Sequence, residues 1–255
     1  MKYHFFIEDN IWFLRDLNRE KPTSVFCHPY LAMLKNLHEK YGTKVQLDLF
    51  YETDDFCLSD MTDMYKAEFT ANSDWLCFGF HSRSEWPAEI YKNASYDEVF
   101  EDCQKIHREI KRFAGEECLS LYTSVHFAAI SDEGKRALRD CGVLGMIDLF
   151  AFKGPDELAY GVRFDAEKEP YTFDTETGFY YYYNDMIINL YKLGEIEDYV
   201  AKIPTKPLTL VMIHEQYFFP FYKAYQPDYA EKLDLVMRLL TERGAKSVLL
   251  AEITK

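Results

Sequence analysis

Residues 3–9 read Tyr-His-Phe-Phe-Ile-Glu-Asp, an apolar run of strand type that ends abruptly in two acids. Three further stretches share this design: Leu76–Phe80 precedes His81, Leu121–Val125 precedes His126, and Leu208–Ile213 precedes His214. If the four runs are parallel strands, their polar tails meet at one end of a sheet. In α/β barrels and open α/β sheets, the carboxyl ends of the strands form the face where ligands bind and chemistry happens. The pattern predicts an enzyme, with a metal-dependent one as the leading reading.

Helical stretches separate these runs. Pro29–Tyr41 carries Leu31, Leu34 and Leu37 at helical spacing and is stopped by Gly42. Lys44–Tyr51 alternates as a second strand, and Thr62–Asn72 is helical. Ser95 with Glu98 forms a capping box that opens a long helix ending at Gly115. Asp132–Cys141 is a helix closed by Gly142, and Val143–Phe150 reads as the fifth strand. From Ala151 to Tyr183 the rhythm breaks, with Gly154-Pro155, Glu169-Pro170, the turn Thr175–Gly178, then Phe179 and four tyrosines; an inserted β-hairpin fits this segment. Helices near Asn184–Leu193 and Ile196–Ile203 follow, then the sixth strand Leu208–Ile213, a helix Asp228–Arg243 stopped by Gly244, and a seventh strand Ser247–Ala251.

Seven strands alternating with helices imply a parallel sheet covered by helices, either a barrel or a doubly wound sheet. The 255-residue length and the polar tails on several non-adjacent strands favour an irregular seven-stranded, TIM-barrel-like (β/α) barrel with a hairpin after strand five. No repeat or linker interrupts it, so residues 1–255 are expected to form a single domain.

Composition narrows the function. The 43 acidic against 29 basic residues give a net charge of −14, which repels nucleic acid and anionic membranes and suits a neutral or cationic small ligand. An aromatic content of 17 % supplies rings for a core and for stacking on a saccharide alike. The six cysteines stand singly, with no C-x-x-C pair, and read as reduced thiols. Glu8 and Asp9 interrupt the apolar start too early for a leader, and no run approaches the roughly 20 residues of a membrane span, so the cytoplasm is the expected compartment.

The tails supply the candidate chemistry. One acid of the Glu8-Asp9 pair can ligate a cation while the other acts as a base, although in an extended strand the two would face opposite sides. His81 and Glu85 are four apart, and both are competent ligands for a divalent metal. His126 and His214 each follow a strand and precede aromatics, positions that suit a metal ligand or a general acid. His28, His38 and His107 fall in or at helices and read as packing or surface residues, and His4 alternates within the first strand.

In this order the motifs resemble the polysaccharide deacetylase (NodB-homology) family, whose fold is a seven-stranded irregular (β/α) barrel. Phe6-Ile7-Glu8-Asp9-Asn10 stands where that family has Thr-Phe-Asp-Asp-Gly, His81-Ser82-Arg83-Ser84-Glu85 where it has His-Ser-x-Thr-His, and Ile213-His214 where it has a Leu-His pair. The resemblance implies Asp9 and His81 as metal ligands, with Glu85 replacing a histidine, Glu8 as catalytic base and His214 as general acid. The family's Arg-x-Pro-Tyr segment is missing; His126 stands near its place and is assigned to substrate contact or to the missing imidazole. Trp86, Tyr183 and Tyr217 would line a sugar-binding wall. The implied cofactor is a divalent metal, zinc first, with nickel, cobalt or iron as alternatives, and the implied reaction removes an acyl group from an N-acetylated sugar or related amide. A nucleotide-linked sugar or other soluble intermediate is favoured over a wall polymer. Two other readings stand beside it: a metal-free glycosidase pairing Asp9 with Glu85 or Glu215, and a catalytically silent barrel that binds a glycan or a protein.

Overall fold

The computed structural model describes residues 1–148, 160, 162 and 165–254. Its strands are β1 (Lys2–Asn10), β2 (Val45–Phe50), the short pair β3 (Glu52–Thr53) and β4 (Phe56–Cys57), β5 (Leu76–Ser82), β6 (Tyr122–Thr123), β7 (Gly145–Asp148), β8 (Thr172–Asp174), β9 (Phe179–Ile187), β10 (Leu208–His214) and β11 (Lys246–Ser247). The helices are α1 (Trp12–Glu20), α2 (Pro29–Tyr41), α3 (Lys66–Thr70), α4 (Tyr96–Phe113), α5 (Asp132–Asp140), α6 (Ile196–Lys202) and α7 (Tyr229–Glu242).

Seven strands pair in parallel in the order β5-β2-β1-β10-β9-β7-β6. The two ends of that row come together again: the Ser120 amide donates to the Phe78 carbonyl at 2.8 Å, beside a single parallel bridge between Phe78 and Leu119. The sheet is therefore a barrel with one thinly paired seam, between β5 and β6.

Alternation along each strand divides two environments. Phe5, Ile7, Leu47, Leu49, Phe78, Phe80, Val211 and Ile213 face outward into the helix-covered core. Phe6, Tyr122, Ile147, Tyr182, Leu210 and Met212 form a second cluster with Val248 and Leu250 on the inner side. Toward the carboxyl ends the inner residues turn polar, through Gln46, Asp48, Glu8 and His81, all buried. Gly79 makes this possible, because a Cβ there would lie 2.3 Å from Asp48 Oδ1, which leans across β5.

Several elements differ from the sequence reading. The segment predicted as a helix from Asn184 is instead the second half of β9, which pairs with β7 through Tyr180–Tyr183 and with β10 through Asn184, Met186 and Ile187. Asn-Asp looks like a helix cap, but the Asp185 carboxylate accepts from the Leu210 amide at 2.9 Å and pairs with Lys206 at 2.7 Å, which satisfies it inside a sheet. The hairpin is present as β8 and β9, and its second arm continues as a barrel strand. The expected seventh strand shrinks to β11, paired with the start of β1, and its remainder forms a 3-10 turn at Leu250–Glu252. The fourth strand contracts to Tyr122–Thr123, and the helix expected over Thr62–Asn72 contracts to α3. Helix α1 was not anticipated. Positions 149 and 150 of the fifth strand, and Gly154-Pro155, lie outside the described residues.

Candidate metal centre

Glu8 and Asp9 close β1, and the chain solves their facing problem locally. Asp9 adopts φ 62°, in the left-handed region, and the pairing of β1 with β2 shifts register between Ile7 and Asn10. This irregularity re-aims Asp9, so that both side chains reach the same inner site. A left-handed non-glycine residue costs about 1–2 kcal/mol, which marks the position as one the fold holds for a reason.

His81, near the end of β5, directs Nδ1 at the carbonyl oxygen of Ser124. A carbonyl can only accept, so Nδ1 carries the hydrogen and Nε2 presents a bare lone pair. His126 opens a 3-10 turn just past β6, held by two consecutive left-handed residues, Phe127 (φ 56°) and Ala128 (φ 49°). Its Nε2 lies 3.2 Å from the carbonyl oxygen of Glu85, so by the same logic its Nδ1 is bare. The two bare nitrogens are 3.0 Å apart, and Asp9 Oδ1 lies 3.0 Å from His81 Nε2 and 3.3 Å from His126 Nδ1.

Three lone pairs therefore converge with no hydrogen between them, an arrangement that repels unless a cation sits among them. Burial drives the His81 pKa down, which opposes filling the gap with a proton. Two imidazole nitrogens and one carboxylate oxygen, all buried, are the donor set of a divalent transition metal with further positions open to water or substrate. By this test Asp9, His81 and His126 fit the metal that the resemblance implies.

An acid–base pair stands beside the trio. Glu8 and His214 face one another across the β1–β10 ladder, with Glu8 Oε2 3.5 Å from His214 Nε2. Burial, reinforced by the charge of Asp9, pushes the Glu8 pKa well above the ordinary carboxyl value, while burial lowers that of His214. The other Glu8 oxygen accepts from the Ser124 hydroxyl, and the Ser124 amide donates to Asp48 Oδ2 at 3.3 Å. Ser124 thus ties together Glu8, His81 and the buried Asp48, a role with no signal in the sequence beyond its place in the strand tail. The His214 side chain is 23 % exposed, enough to meet a substrate.

A groove of about 500 Å³ opens on Asp9, lined among others by Trp12, Phe50, Arg83, Glu85, Trp86 and Gln216. Glu85 is half-buried in its wall, and its pKa is raised by burial and by Asp9; its side chain falls outside the convergent trio, whereas His126 falls inside it. Trp86 is 66 % exposed at the groove, and Tyr217 lies with its ring 5.8 Å from that of His214. Tyr183 is placed elsewhere: it shares the outer face of β9 with Tyr181, under the ammonium of Lys206 at 5.1 Å. The extension of β9, by its alternation, turns this ring away from the lumen. Glu215 is also committed, because its carboxylate caps α1, accepting from the amides of Ile11 (2.8 Å), Trp12 (3.0 Å) and Phe13 (2.7 Å). Burial pushes its pKa up to about 8 against those three donors. Glu215 is fully buried and does not line the groove.

No family model and no curated protein matches the chain. Solved structures do match in fold. A family 4 acetyl xylan esterase from Clostridium thermocellum, in complex with a cobalt ion, superposes with a TM-score of 0.54 at 15 % identity, over 99 % of this chain and 89 % of that one. A peptidoglycan N-acetylglucosamine deacetylase gives 0.53 at 11 % identity, over 97 % and 85 %. A CE4 family pseudoenzyme from Bacillus anthracis gives 0.52 at 14 % identity, over 96 % of this chain and 62 % of its own. The chain thus spans less than two thirds of the length of that pseudoenzyme. What is shared is the architecture of carbohydrate esterases and polysaccharide deacetylases, a fold that serves active and inactive proteins alike. Among the described residues no helix is long and apolar enough to cross a membrane.

Proposed function

We propose that this protein is a metal-dependent hydrolase that removes an acyl group from an N-acetylated sugar or a related amide. The observation that carries this reading is the convergence of three proton-free acceptors, Asp9, His81 and His126, of which Asp9 lines a groove, beside the Glu8–His214 pair. A divalent cation held by that trio would polarise the acyl carbonyl and make a water more acidic. Glu8, buried and aligned by Ser124, is placed to take a proton from the attacking water. His214, whose side chain is partly exposed, would give one through Nε2 to the leaving nitrogen as the C–N bond breaks. The proton that Glu8 takes from the water passes to the bare Nε2 of His214, 3.5 Å from Glu8 Oε2, before His214 gives it to the leaving nitrogen, so the pair ends as it began. Trp86 and Tyr217 supply flat surfaces on which a sugar ring can stack.

The test begins with metal analysis of the purified protein, followed by reconstitution with zinc, nickel, cobalt or iron. Close to one ion per chain, together with acetate release from a panel of N-acetylated sugars, is the expected result. No bound metal after reconstitution sinks the proposal, and release of reducing ends without acetate turns it toward a glycosidase.

A further inference from the structure

Two cysteines far apart in sequence meet in the helical layer outside the barrel. Cys103 lies in α4, Cys141 is the residue that closes α5, and the two helices pack together. Their thiols hydrogen-bond one another, and Cys141 Sγ lies 3.6 Å from the Phe100 carbonyl oxygen, one turn back along α4. Behind the pair, Cys103 Sγ lies 3.6 Å from Nε2 of His107, one turn further along the same helix. Neither cysteine lines the groove at Asp9. The two sulfurs are placed unequally, because Cys103 is fully buried and Cys141 only half-buried. The hydrogen bond from Cys103 draws the Cys141 thiol below its ordinary value, whereas burial pushes Cys77, Cys103 and Cys118 up. Burial also lowers the His107 pKa to about 4, so its ring is neutral and can accept a proton.

We propose that Cys103 and Cys141 form a dithiol that a hydroperoxide converts reversibly to a disulfide, with Cys141 as the attacking thiol and Cys103 as its resolving partner. The thiolate of Cys141, the less buried of the two, attacks one peroxide oxygen. An S–O bond forms, the O–O bond breaks, and the departing hydroxide takes up the proton that Cys141 gave away. Cys103 then attacks the sulfenic sulfur, so that an S–S bond forms and the S–O bond breaks. The proton of Cys103 passes to His107 Nε2 and on to the second hydroxide, which leaves as water. The two sulfurs together lose two electrons, the peroxide gains them, and a thiol reductant reverses the change. The ring this closes runs from α4 through β6 and His126 to the end of α5, so it ties together the two helices that flank the thinly paired strand β6. In a reducing compartment such a bond is transient and redox-sensing rather than structural.

The bond can be mapped directly. Fully reduced protein is treated with hydrogen peroxide, its remaining thiols are alkylated, and its peptides are identified by mass spectrometry. The expected result is one intramolecular disulfide between Cys103 and Cys141, with two hydrogens lost and full reversal by dithiothreitol. In Cys103→Ser the resolving thiol is missing, and dimedone should trap Cys141 as its sulfenic acid. In His107→Gln closure should slow at least about 10-fold; an equal rate removes His107 from the step. Oxidised wild type should melt about 5–10 °C above the reduced protein, a gain absent in Cys141→Ser. Alkylation of both cysteines after peroxide overturns the proposal. So does a disulfide through the exposed Cys27, or oxidation of Cys141 beyond the sulfenic state with Cys103 untouched. If the serine variants do not fold, the wild-type map alone decides.

Discussion

Asp9 and Asp185 are both buried carboxylates held by strands of the same barrel, and the fold treats them in opposite ways. Asp185 is closed by the protein itself: Lys206 lies 2.7 Å away, the Leu210 amide donates to its second oxygen, and the ammonium rests over Tyr183. Asp9 instead faces two imidazole nitrogens with lone pairs aimed at it. A buried charge demands a partner; at Asp185 the chain provides one, and at Asp9 the proposed function has one supplied from outside. The contrast separates a structural ion pair from a binding site without reference to any relative.

The largest effect should come from opening the closed pair. Lys206→Met leaves Asp185 buried and alone and should cost about 3–5 kcal/mol in chemical denaturation. Combining it with Asp185→Leu should recover most of that loss, and if it does not, the pair is more than a self-contained unit. Metal content should be unchanged in both. At the open site the effect falls on binding instead: His81→Ala should weaken zinc affinity at least about 100-fold by competition with a chelator, with wild type gaining about 2.7 kcal/mol of stability at a zinc concentration 100 times Kd. Equal zinc affinity in the variant would remove the distinction drawn here.

A third class of buried polar group is compensated only in part, and pH exposes it. His4 is fully buried in β1, with Nδ1 3.0 Å from the Val248 carbonyl and, among the described residues, Nε2 without a partner. Burial lowers its pKa to about 4, and burial does the same to His107. In the unfolded chain a histidine titrates near 6.5, so between about pH 6.5 and 4 the unfolded state binds more protons. Stability is therefore full above about 6.5 and falls as pH drops toward 4, by a few kcal/mol in all. His4→Phe should flatten part of that slope in denaturation measured across the window, and an unchanged slope would assign it elsewhere. The smallest effect tests the sign of the argument at the open site: in metal-free protein Asp9→Asn supplies an N–H to a bare nitrogen and should be neutral or stabilising by about 1 kcal/mol. A loss comparable to that of Lys206→Met would show that Asp9 is already satisfied.

What the sequence made legible was whatever depended on local pattern. The ends of β1, β5 and β10 fell where apolar runs met Glu8, His81 and His214, and the capping box of Ser95 and Glu98 marks the start of α4. What escaped was whatever depended on distant chain. Asn184 and Asp185 imitate a helix cap until Lys206 and Leu210 are seen to satisfy Asp185. Trp12–Glu20 went unread because its cap, Glu215, lies more than 200 residues away. The spacing of His81 and Glu85 drew attention to one loop, while it is the left-handed turn at Phe127 and Ala128 that brings His126 in from the neighbouring strand end.

The seam between β5 and β6 gives the trio a mechanical meaning. His81 belongs to the last strand at one end of the sheet, His126 follows the last strand at the other, and Asp9 closes a strand midway along the row. A cation shared by the three would act as a clasp, fastening the barrel where its backbone ladder runs out, so that loading the site and shutting the cylinder become one event.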